Sequence, residues 1–288
     1  MSENTPQPAA SMSLAPRPNE VKVETWDLLA SELFVDSYNT KLDRHRSPYA
    51  FRGQGGDFPL TPGVMRLKHD PSQVSQIERR LFGSFKKYAH QTVRPDFSEW
   101  DWLVLAQHYG LPTRLLDWTY SPFVALHFMT CNLAQMDCDG VVWCANLFEV
   151  QQFLHPDLSG LLKDGVATFT AGDLTKQYEN FQKFDASDEQ TDFVLFFEPP
   201  SLDQRIVNQV ALFSFMSRPT AQLDDWLRGK AQGYPKIYRK ITVSKELKWE
   251  IRDKLDQLNL TERVLFPGLD GLSQWLKRWY TPRHPFSA

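Results

Sequence analysis

The sequence predicts an α+β fold in which a mixed sheet is flanked by helices. Short apolar runs of strand length and segments of helical periodicity follow one another without regular βαβ units. In addition, 42% of the 288 residues are hydrophobic, which is enough for a sizeable core. No internal repeat is visible. We therefore expect a single domain over residues 21–288, with a more polar insertion of helices and loops at 151–190.

The first twenty residues are expected to form a disordered tail. They are rich in proline and contain serine, alanine and asparagine. Such a composition cannot bury enough apolar surface to order itself. The domain is therefore predicted to begin near residue 21.

The elements of the N-terminal half follow from local patterns. An alternating start and then an apolar-periodic run predict a strand and a helix within 21–33. A turn-like Ser47-Pro48 precedes a predicted strand at 49–53. Apolar residues at helical spacing predict helices at 76–88 and 100–108. Ser121-Pro122 is typical of an N-cap followed by proline in the first turn of the next helix.

The C-terminal half adds more strands than helices. Apolar and β-branched runs predict strands at 140–146, 193–197, 211–215 and 236–243. Ser201 with Gln204 has the spacing of a capping box for a short helix. Ser244 is predicted to cap a helix, and a final helix is predicted at 269–279.

Composition and charge exclude several functional classes. The net charge of −3 gives no electrostatic footprint for nonspecific nucleic-acid binding. Cys131, Cys138 and Cys144 are odd in number and lack CxxC spacing, which argues against a disulfide framework or a zinc site. No apolar run of membrane-spanning length and no signal pattern is visible. We therefore expect a cytoplasmic protein with no membrane partner.

One stretch, residues 100–128, combines polar side chains with an apolar frame. Within it, three tryptophans surround hydrogen-bonding side chains at Gln107, His108, Arg114, Asp117, Thr119 and Ser121. Buried polar groups need partners, so cores rarely hold so many in so short a span. This pattern is more typical of the wall of a site than of a packing element.

Five motifs occur in order: FRGQ (51–54), LTPGVMR (60–66), LAQHYGLPTRLLDWTYSP (105–122), RIVNQVALF (205–213) and LFPGLDGL (265–272). Over roughly residues 21–280 the chain thereby resembles the FRG domain, a family of bacteria and phages named for its Phe-Arg-Gly motif. The resemblance implies a toxin or an antiphage defence effector. In one departure, Val210 stands where the family usually has glycine after Gln209.

A second, fainter resemblance is to the ADP-ribosyltransferase superfamily with its Arg-Ser-Glu arrangement. Arg52 matches the first-strand arginine that holds NAD, and 119–121 with the following helix match the Ser-Thr-Ser element. The resemblance implies NAD as a substrate. Gln209 falls where the catalytic glutamate would stand, and Glu198 is a substitute carboxylate because an oxocarbenium-like transition state needs negative charge.

Each candidate residue also has a structural interpretation. Arg52 could bind a nucleotide phosphate or form a salt bridge. His108 is either a general acid or base or a hydrogen-bonded core residue. Arg114 and Asp117 have the spacing of a local ion pair, and Arg114 could still present donors to a phosphate. Ser121 is expected to be an N-cap rather than a nucleophile.

Arg205 and Gln209 are spaced i, i+4, so they face the same way, and the family resemblance places them at the Arg52 cleft. The predicted catalytic residues are Arg52, His108, Glu198 and Gln209. The predicted ligand-binding residues are Phe51, Arg52, Gly53, Gln54, Arg114, Thr119, Ser121 and Arg205. No metal is expected, since the histidines lack ligand spacing such as HExxH.

Three functions remain open from the sequence. The first is an NAD-dependent ADP-ribosyltransferase with an unknown macromolecular acceptor, and an NAD glycohydrolase is its hydrolytic variant. The second is a non-catalytic module that binds a nucleotide or a phage component. The third, a nucleic-acid-processing enzyme, is disfavoured by the charge. Neither GxxxxGK[ST] nor GxGxxG occurs, which removes the common NTPase and Rossmann interpretations.

Overall fold

A computed structural model of the protein describes residues 18–90, 96–163, 165–185 and 192–283. The described strands are β1 (Glu20–Val23), β2 (Tyr38–Asn39), β3 (Arg44–His45), β4 (Tyr49–Gln54), β5 (Leu116–Thr119), β6 (Gly140–Asn146), β7 (Phe169–Thr170), β8 (Val194–Glu198), β9 (Ala211–Met216) and β10 (Tyr238–Val243).

The described α-helices are α1 (Trp26–Leu33), α2 (Val74–Ala89), α3 (Glu99–His108), α4 (Pro122–Thr130), α5 (Leu147–Val150), α6 (Pro156–Ser159), α7 (Ala171–Gln177), α8 (Phe181–Asp185), α9 (Gln204–Asn208), α10 (Leu223–Lys230), α11 (Lys248–Gln257), α12 (Glu262–Leu265) and α13 (Leu269–Trp279).

The centre of the fold is an eight-stranded sheet in the order β1-β10-β6-β4-β5-β9-β8-β7, and β2 and β3 form a separate two-stranded ribbon. β1 pairs with β10, and β7 with β8, in parallel, whereas the other pairs are antiparallel. The sheet is therefore mixed and is flanked by helices, which confirms the predicted α+β class.

Strand alternation divides the core between the two faces of the sheet. One face of the sheet carries two clusters. The first lies between four strands (β1, β10, β6 and β4) and three helices (α1, α4 and α11). The second lies between two strands (β9 and β8) and three helices (α2, α3 and α7). On the other face a single cluster runs beneath β6, β5, β9 and β8 and is covered by α5 and α10. The two clusters of the first face adjoin at the boundary between β4 and β5.

The sheet opens at that boundary. β4 pairs with β6 along its whole length, from Tyr49 to Gln54. With β5 it shares one register pair, Phe51 with Thr119. The last residues of β4, which include Arg52 and Gln54, therefore border an opening between two strands rather than a continuous ladder.

Gly53 allows the first helix after β5 to approach this strand. A Cβ added at Gly53 would lie 1.8 Å from the carbonyl oxygen of Ala125, in α4. No larger residue fits between the strand and the helix backbone at that distance. The glycine of the FRG motif is thus used for strand–helix packing and not for the approach of a ligand.

Most predicted elements are present within a few residues of their expected bounds. β5, the β2–β3 ribbon, α10 and α12 are among the elements that were not predicted. The capping box at Ser201 and Gln204 is wrong, since Asp203 is the N-cap of α9 and its side chain accepts from the amide of Ile206. Ser244 precedes a 3₁₀ turn at Lys245–Leu247 and makes no side-chain cap bond, so α11 begins only at Lys248.

Residues 1–17 of the predicted tail lie outside the described residues. The Asn19 side chain donates to the carbonyls of Pro235 and Tyr238, and Glu20 begins β1. Within 151–190, Phe169, Leu174 and Phe184 are buried in the core beside β8 and β9. No described helix is long and apolar enough to cross a membrane.

Candidate functional site

Arg52 lies in the opening between β4 and β5. Its Nη1 donates to the backbone carbonyl of Asp117 at 2.6 Å and lies 3.8 Å from the Asp117 carboxylate. Alternation places Arg52 and Asp117 on opposite faces of the sheet, because Phe51 and Thr119 form the shared pair. The guanidinium therefore reaches Asp117 through the opening.

Two buried polar atoms on this stretch of β4 lack hydrogen-bond partners. They are Nε of Arg52, a donor, and Oε1 of Gln54, an acceptor. Burial lowers the pKa of Arg52, Asp117 opposes this shift, and the nearby positive charge of Arg66 adds to it. A guanidinium keeps its charge under such a shift. Arg52 is thus a desolvated cation with unused donor capacity.

Asp117 is held in place from the side of α3. The Gln107 amide donates to both carboxylate oxygens, at 3.1 and 3.0 Å, and the hydroxyl of Thr113 donates to the Gln107 oxygen at 2.7 Å. The Asp117 side chain is nonetheless 58% exposed. The carboxylate is therefore oriented and still accessible to a ligand.

His108 closes α3 beside the same carboxylate. Its Nε2 lies 2.6 Å from the carboxylate of Asp203, the N-cap of α9. Burial lowers the pKa of His108 and Arg205 lowers it further, whereas Asp203 and Asp117 raise it. The net shift is downward, so the imidazole is neutral at pH 7. Because a carboxylate only accepts, Nε2 carries the proton and Nδ1 is the basic nitrogen.

We call this group the Arg52 site: Arg52, Gln107, His108, Asp117 and Asp203. The sequence pointed to Arg52 and His108 as functional, whereas it named Gln107 as part of a polar stretch and Asp117 as part of that stretch and as an ion-pair partner of Arg114. Asp203 and the neighbouring Arg66 were missed, since each is an ordinary polar residue in its local sequence. Their relevance depends on contacts with distant segments.

Thr119 and Gln209 meet each other at the end of β5. The Thr119 hydroxyl donates to the Gln209 carbonyl at 2.7 Å and accepts from the Ser121 amide at 3.0 Å. The Gln209 amide donates to the Leu265 carbonyl at 3.0 Å. Ser121 caps α4 by accepting from Val124. The structure therefore gives the polar groups of Thr119, Ser121 and Gln209 partners within the protein.

Glu198 lies away from the Arg52 site. Its carboxylate accepts from the hydroxyls of Tyr120 at 2.7 Å and Thr168 at 3.3 Å, and the residue is exposed. β8 is separated from β4 by β5 and β9, which corresponds to about 14 Å at the usual strand spacing. The carboxylate beside Arg52 is Asp117, not Glu198.

Two predicted binding residues belong to the core. The spacing of Arg114 and Asp117 suggested a local ion pair, but Arg114 does not pair with Asp117. It is 1% exposed, bonds to Glu78 at 2.7 Å and to Asp185 at 2.8 Å, and lies over the Phe215 ring. It has no donor facing a ligand. Phe51 is buried beneath α4, on the face of β4 opposite Arg52.

Arg205 is half-buried on α9, and its guanidinium lies 4.9 Å from the centre of the Phe266 ring. No ion pair of Arg205 occurs among the described residues. Its positive charge contributes to the lowered pKa of His108. No described group of three or more His, Cys, Asp or Glu side chains could hold a metal ion.

Comparison with known proteins identifies one family. The model of the FRG domain matches residues 47–138, whereas no curated protein and no solved structure matches the chain. The matched stretch includes β4, α2, α3, β5 and α4 and therefore contains Arg52, Gln107, His108 and Asp117. The segments at 205–213 and 265–272 lie outside it. Residues 47–138 of the chain therefore match the FRG domain family.

Proposed function

We propose that the Arg52 site binds NAD and that the protein is an ADP-ribosyltransferase. The observation that carries this proposal is the pairing of a desolvated guanidinium, with an unpartnered Nε, and an exposed carboxylate 3.8 Å away. A dinucleotide substrate needs both kinds of group. Its phosphates need a cation, and its reacting ribose needs an anion.

Binding would depend on the arginines. Arg52 offers donors in a planar fork that suits a phosphate, and it lies in a partly dry environment where charge-assisted bonds are strong. Arg66 adds positive charge close to Arg52. Arg205 adds positive charge close to His108. These charges sit on two sides of the Arg52 site, which suits an extended ligand with more than one phosphate.

The chemical step would depend on Asp117 and His108. As the bond between nicotinamide and ribose breaks, nicotinamide leaves with the electron pair and positive charge develops on the ribose. The Asp117 carboxylate, oriented by Gln107, stabilises that charge. The acceptor then bonds to the ribose carbon and gives its proton to Nδ1 of neutral His108. With water as the acceptor, the same steps are NAD hydrolysis.

A non-catalytic nucleotide-binding module is the second candidate. It is favoured by the partners of Asp117, because Gln107 and Arg52 compensate part of the carboxylate charge before any substrate binds. In either case the proposed setting is the cytoplasm of a bacterium, as a toxin or antiphage effector, which the family resemblance supports.

The test uses the full chain, NAD labelled in its adenosine half, and bacterial lysate. The readouts are nicotinamide release and transfer of label to macromolecules. We expect both from the wild type, and a loss of about 100-fold or more in Arg52→Lys, which keeps the charge and removes the fork. Arg218→Ala is the control. Arg218 is an arginine just beyond the end of β9, and it pairs with Asp192 away from the Arg52 site.

Release without transfer would assign the glycohydrolase. Absence of both products would overturn the enzyme proposal. Saturable NAD binding by the inactive wild type, weakened in Arg52→Lys and retained in Arg218→Ala, would then assign the binding module.

A further inference from the structure

α13 contacts the rest of the protein through a side that carries Gly271, the half-buried Trp275 and Arg278. A Cβ added at Gly271 would lie 1.8 Å from the Phe266 carbonyl oxygen, so α13 packs there against backbone. Two turns further along the same side, Arg278 is buried and bonds to Glu262 at 2.6 Å and to Asp256 at 2.6 and 2.8 Å. A glycine, a half-buried tryptophan and a paired arginine thus face inward.

The apolar side of α13 faces outward. Leu269, Leu272, Leu276, Trp279 and Tyr280 follow the spacing i, i+3, i+7, i+10 and i+11, which places them on one arc of a helix. They are exposed by 79, 38, 39, 56 and 78% respectively. This arrangement inverts the usual one, in which the apolar arc faces the core. We call these five residues the α13 stripe.

The stripe is as large as the largest apolar patches that folded monomers expose. Five side chains of this type at these exposures present on the order of 600 Å² of apolar surface, the upper end for single patches on monomers. Two such stripes in contact would remove about 1,200 Å² from water, which reaches the lower bound of stable protein interfaces.

The stripe is also partly rigid. The rings of Trp275 and Trp279 lie 5.5 Å apart and tilted by 35°, and the Arg263 guanidinium lies 4.6 Å from the Trp275 ring centre. These contacts restrict Trp279 before any partner binds. A pre-ordered aromatic side chain loses little entropy on association and is a typical anchor of an interface.

We propose that the α13 stripe is the interface of a homodimer, in which α13 of a second copy lies antiparallel across it. A two-fold axis at the middle of the helix sets Leu272 opposite the partner's Leu276 and Leu269 opposite the partner's Trp279. Each copy supplies the same surface, as a two-fold interface requires. An antiparallel partner matches the stripe in both length and pattern.

Charge on one flank of the helix fits the same arrangement. Asp270 and Lys277 are seven residues, or two turns, apart, so they lie on one flank near opposite ends of α13. Antiparallel pairing places Asp270 of each copy toward the partner's Lys277. In parallel pairing the two-fold axis runs along the helices and puts this flank of the two copies on opposite sides of the seam, so Asp270 and Lys277 would not face each other. The second copy is thus the occupant that both the apolar pattern and the charges fit.

The test measures the mass of the full chain by sedimentation equilibrium over a range of concentrations up to high micromolar. We expect a dimer whose Kd rises about 100-fold or more in the double variant Leu272→Glu with Leu276→Glu. Leu42→Glu is the matched control, because Leu42 is 58% exposed but lies in the β2–β3 ribbon. Circular dichroism checks that each variant is folded.

A charge swap tests the direction of pairing. Asp270→Lys should weaken the dimer, and Asp270→Lys combined with Lys277→Asp should restore it. A wild type that is monomeric throughout overturns the proposal, and its binding to vesicles of anionic lipid would then assign the stripe to a membrane surface. A dimer that is insensitive to the stripe variants also overturns it.

Discussion

Nη1 of Arg52 donates to the backbone carbonyl of Asp117 at the point where β4 and β5 stop pairing. A side chain of one strand therefore takes the place that a ladder hydrogen bond would occupy between them. The bond orders both edges of the opening, and the Asp117 carboxylate stays accessible on the other face, where the Gln107 amide orients it.

Arg52 and Arg114 should differ sharply in their effect on the stability of the protein. Arg114→Met leaves the buried Glu78 without its cation and leaves Asp185 with Arg79 alone, so the free energy of unfolding should fall by about 3–5 kcal/mol. Arg52→Met removes one hydrogen bond and also relieves a desolvated charge, so the loss should be about 1 kcal/mol. Urea unfolding of both variants measures the difference. Equal losses would show that Arg52 is a structural residue.

Gly53→Ala should prevent stable folding. The added Cβ would meet the Ala125 carbonyl at 1.8 Å, and neither the strand nor α4 can yield to it cheaply. Gly83→Ala is the control. That glycine lies inside α2 with no atom within 4 Å of the added Cβ, so its replacement should stabilise by about 0.5–1 kcal/mol. Thermal unfolding gives the melting temperature of each variant. A Gly53→Ala protein as stable as the wild type would contradict the close packing of β4 on α4.

Val210→Gly should stabilise the protein. Val210 has φ = 46°, in the left-handed region that a β-branched residue adopts only with strain, and it stands where the family usually has glycine. Relief of this strain should add about 1 kcal/mol to the unfolding free energy. Val207→Gly makes the same chemical change in α9, where glycine is less favourable, and should destabilise. The two melting temperatures should therefore shift in opposite directions, and a fall in both would argue against strain at Val210.

His127 should make the protein less stable as the pH falls below neutrality. Its Nδ1 lies 3.0 Å from Nη1 of Arg252, which can only donate, and burial together with that charge lowers the pKa of His127 to about 3. The unfolded chain takes up this proton near pH 6.5, so the folded state loses stability from there down to about pH 3. The contribution is about 1.4 kcal/mol per pH unit within that window.

His127→Gln removes the titrating group, so its unfolding free energy should depend less steeply on pH between 6.5 and 4. Urea unfolding of both proteins at several pH values gives the two slopes. Since the carboxylates titrate in both proteins, the difference between the slopes reports on His127, and parallel slopes would contradict the assignment.

The sequence predicted elements whose signals are local. β4 was predicted to end at Gly53 and ends one residue later, at Gln54. α3 has helical spacing and α4 begins at Pro122 after the Ser121 cap, and both lie where they were expected. β5 was missed because its four residues, Leu-Asp-Trp-Thr, are too few to show a period. It is defined by pairing with β9, which lies far along the chain.

The same limit applies to the site. Arg114 pairs with Glu78 and Asp185, and Glu198 with Tyr120, through contacts that no local spacing encodes. The sequence predicted a helix over the residues of α13, but it did not show which side of that helix faces the core. Fold class and most elements could thus be predicted, whereas the partners of each charged residue required the structure.

Nicotinamide release from NAD by the wild type and by Asp117→Asn, with NAD affinity measured for both, tests the central claim most directly. The substitution keeps the shape of the side chain and its ability to bond to Gln107, but it removes the negative charge. The account predicts that Asp117→Asn binds NAD within a few-fold of the wild type and releases nicotinamide at least about 100-fold more slowly. Release at the wild-type rate by Asp117→Asn would contradict it.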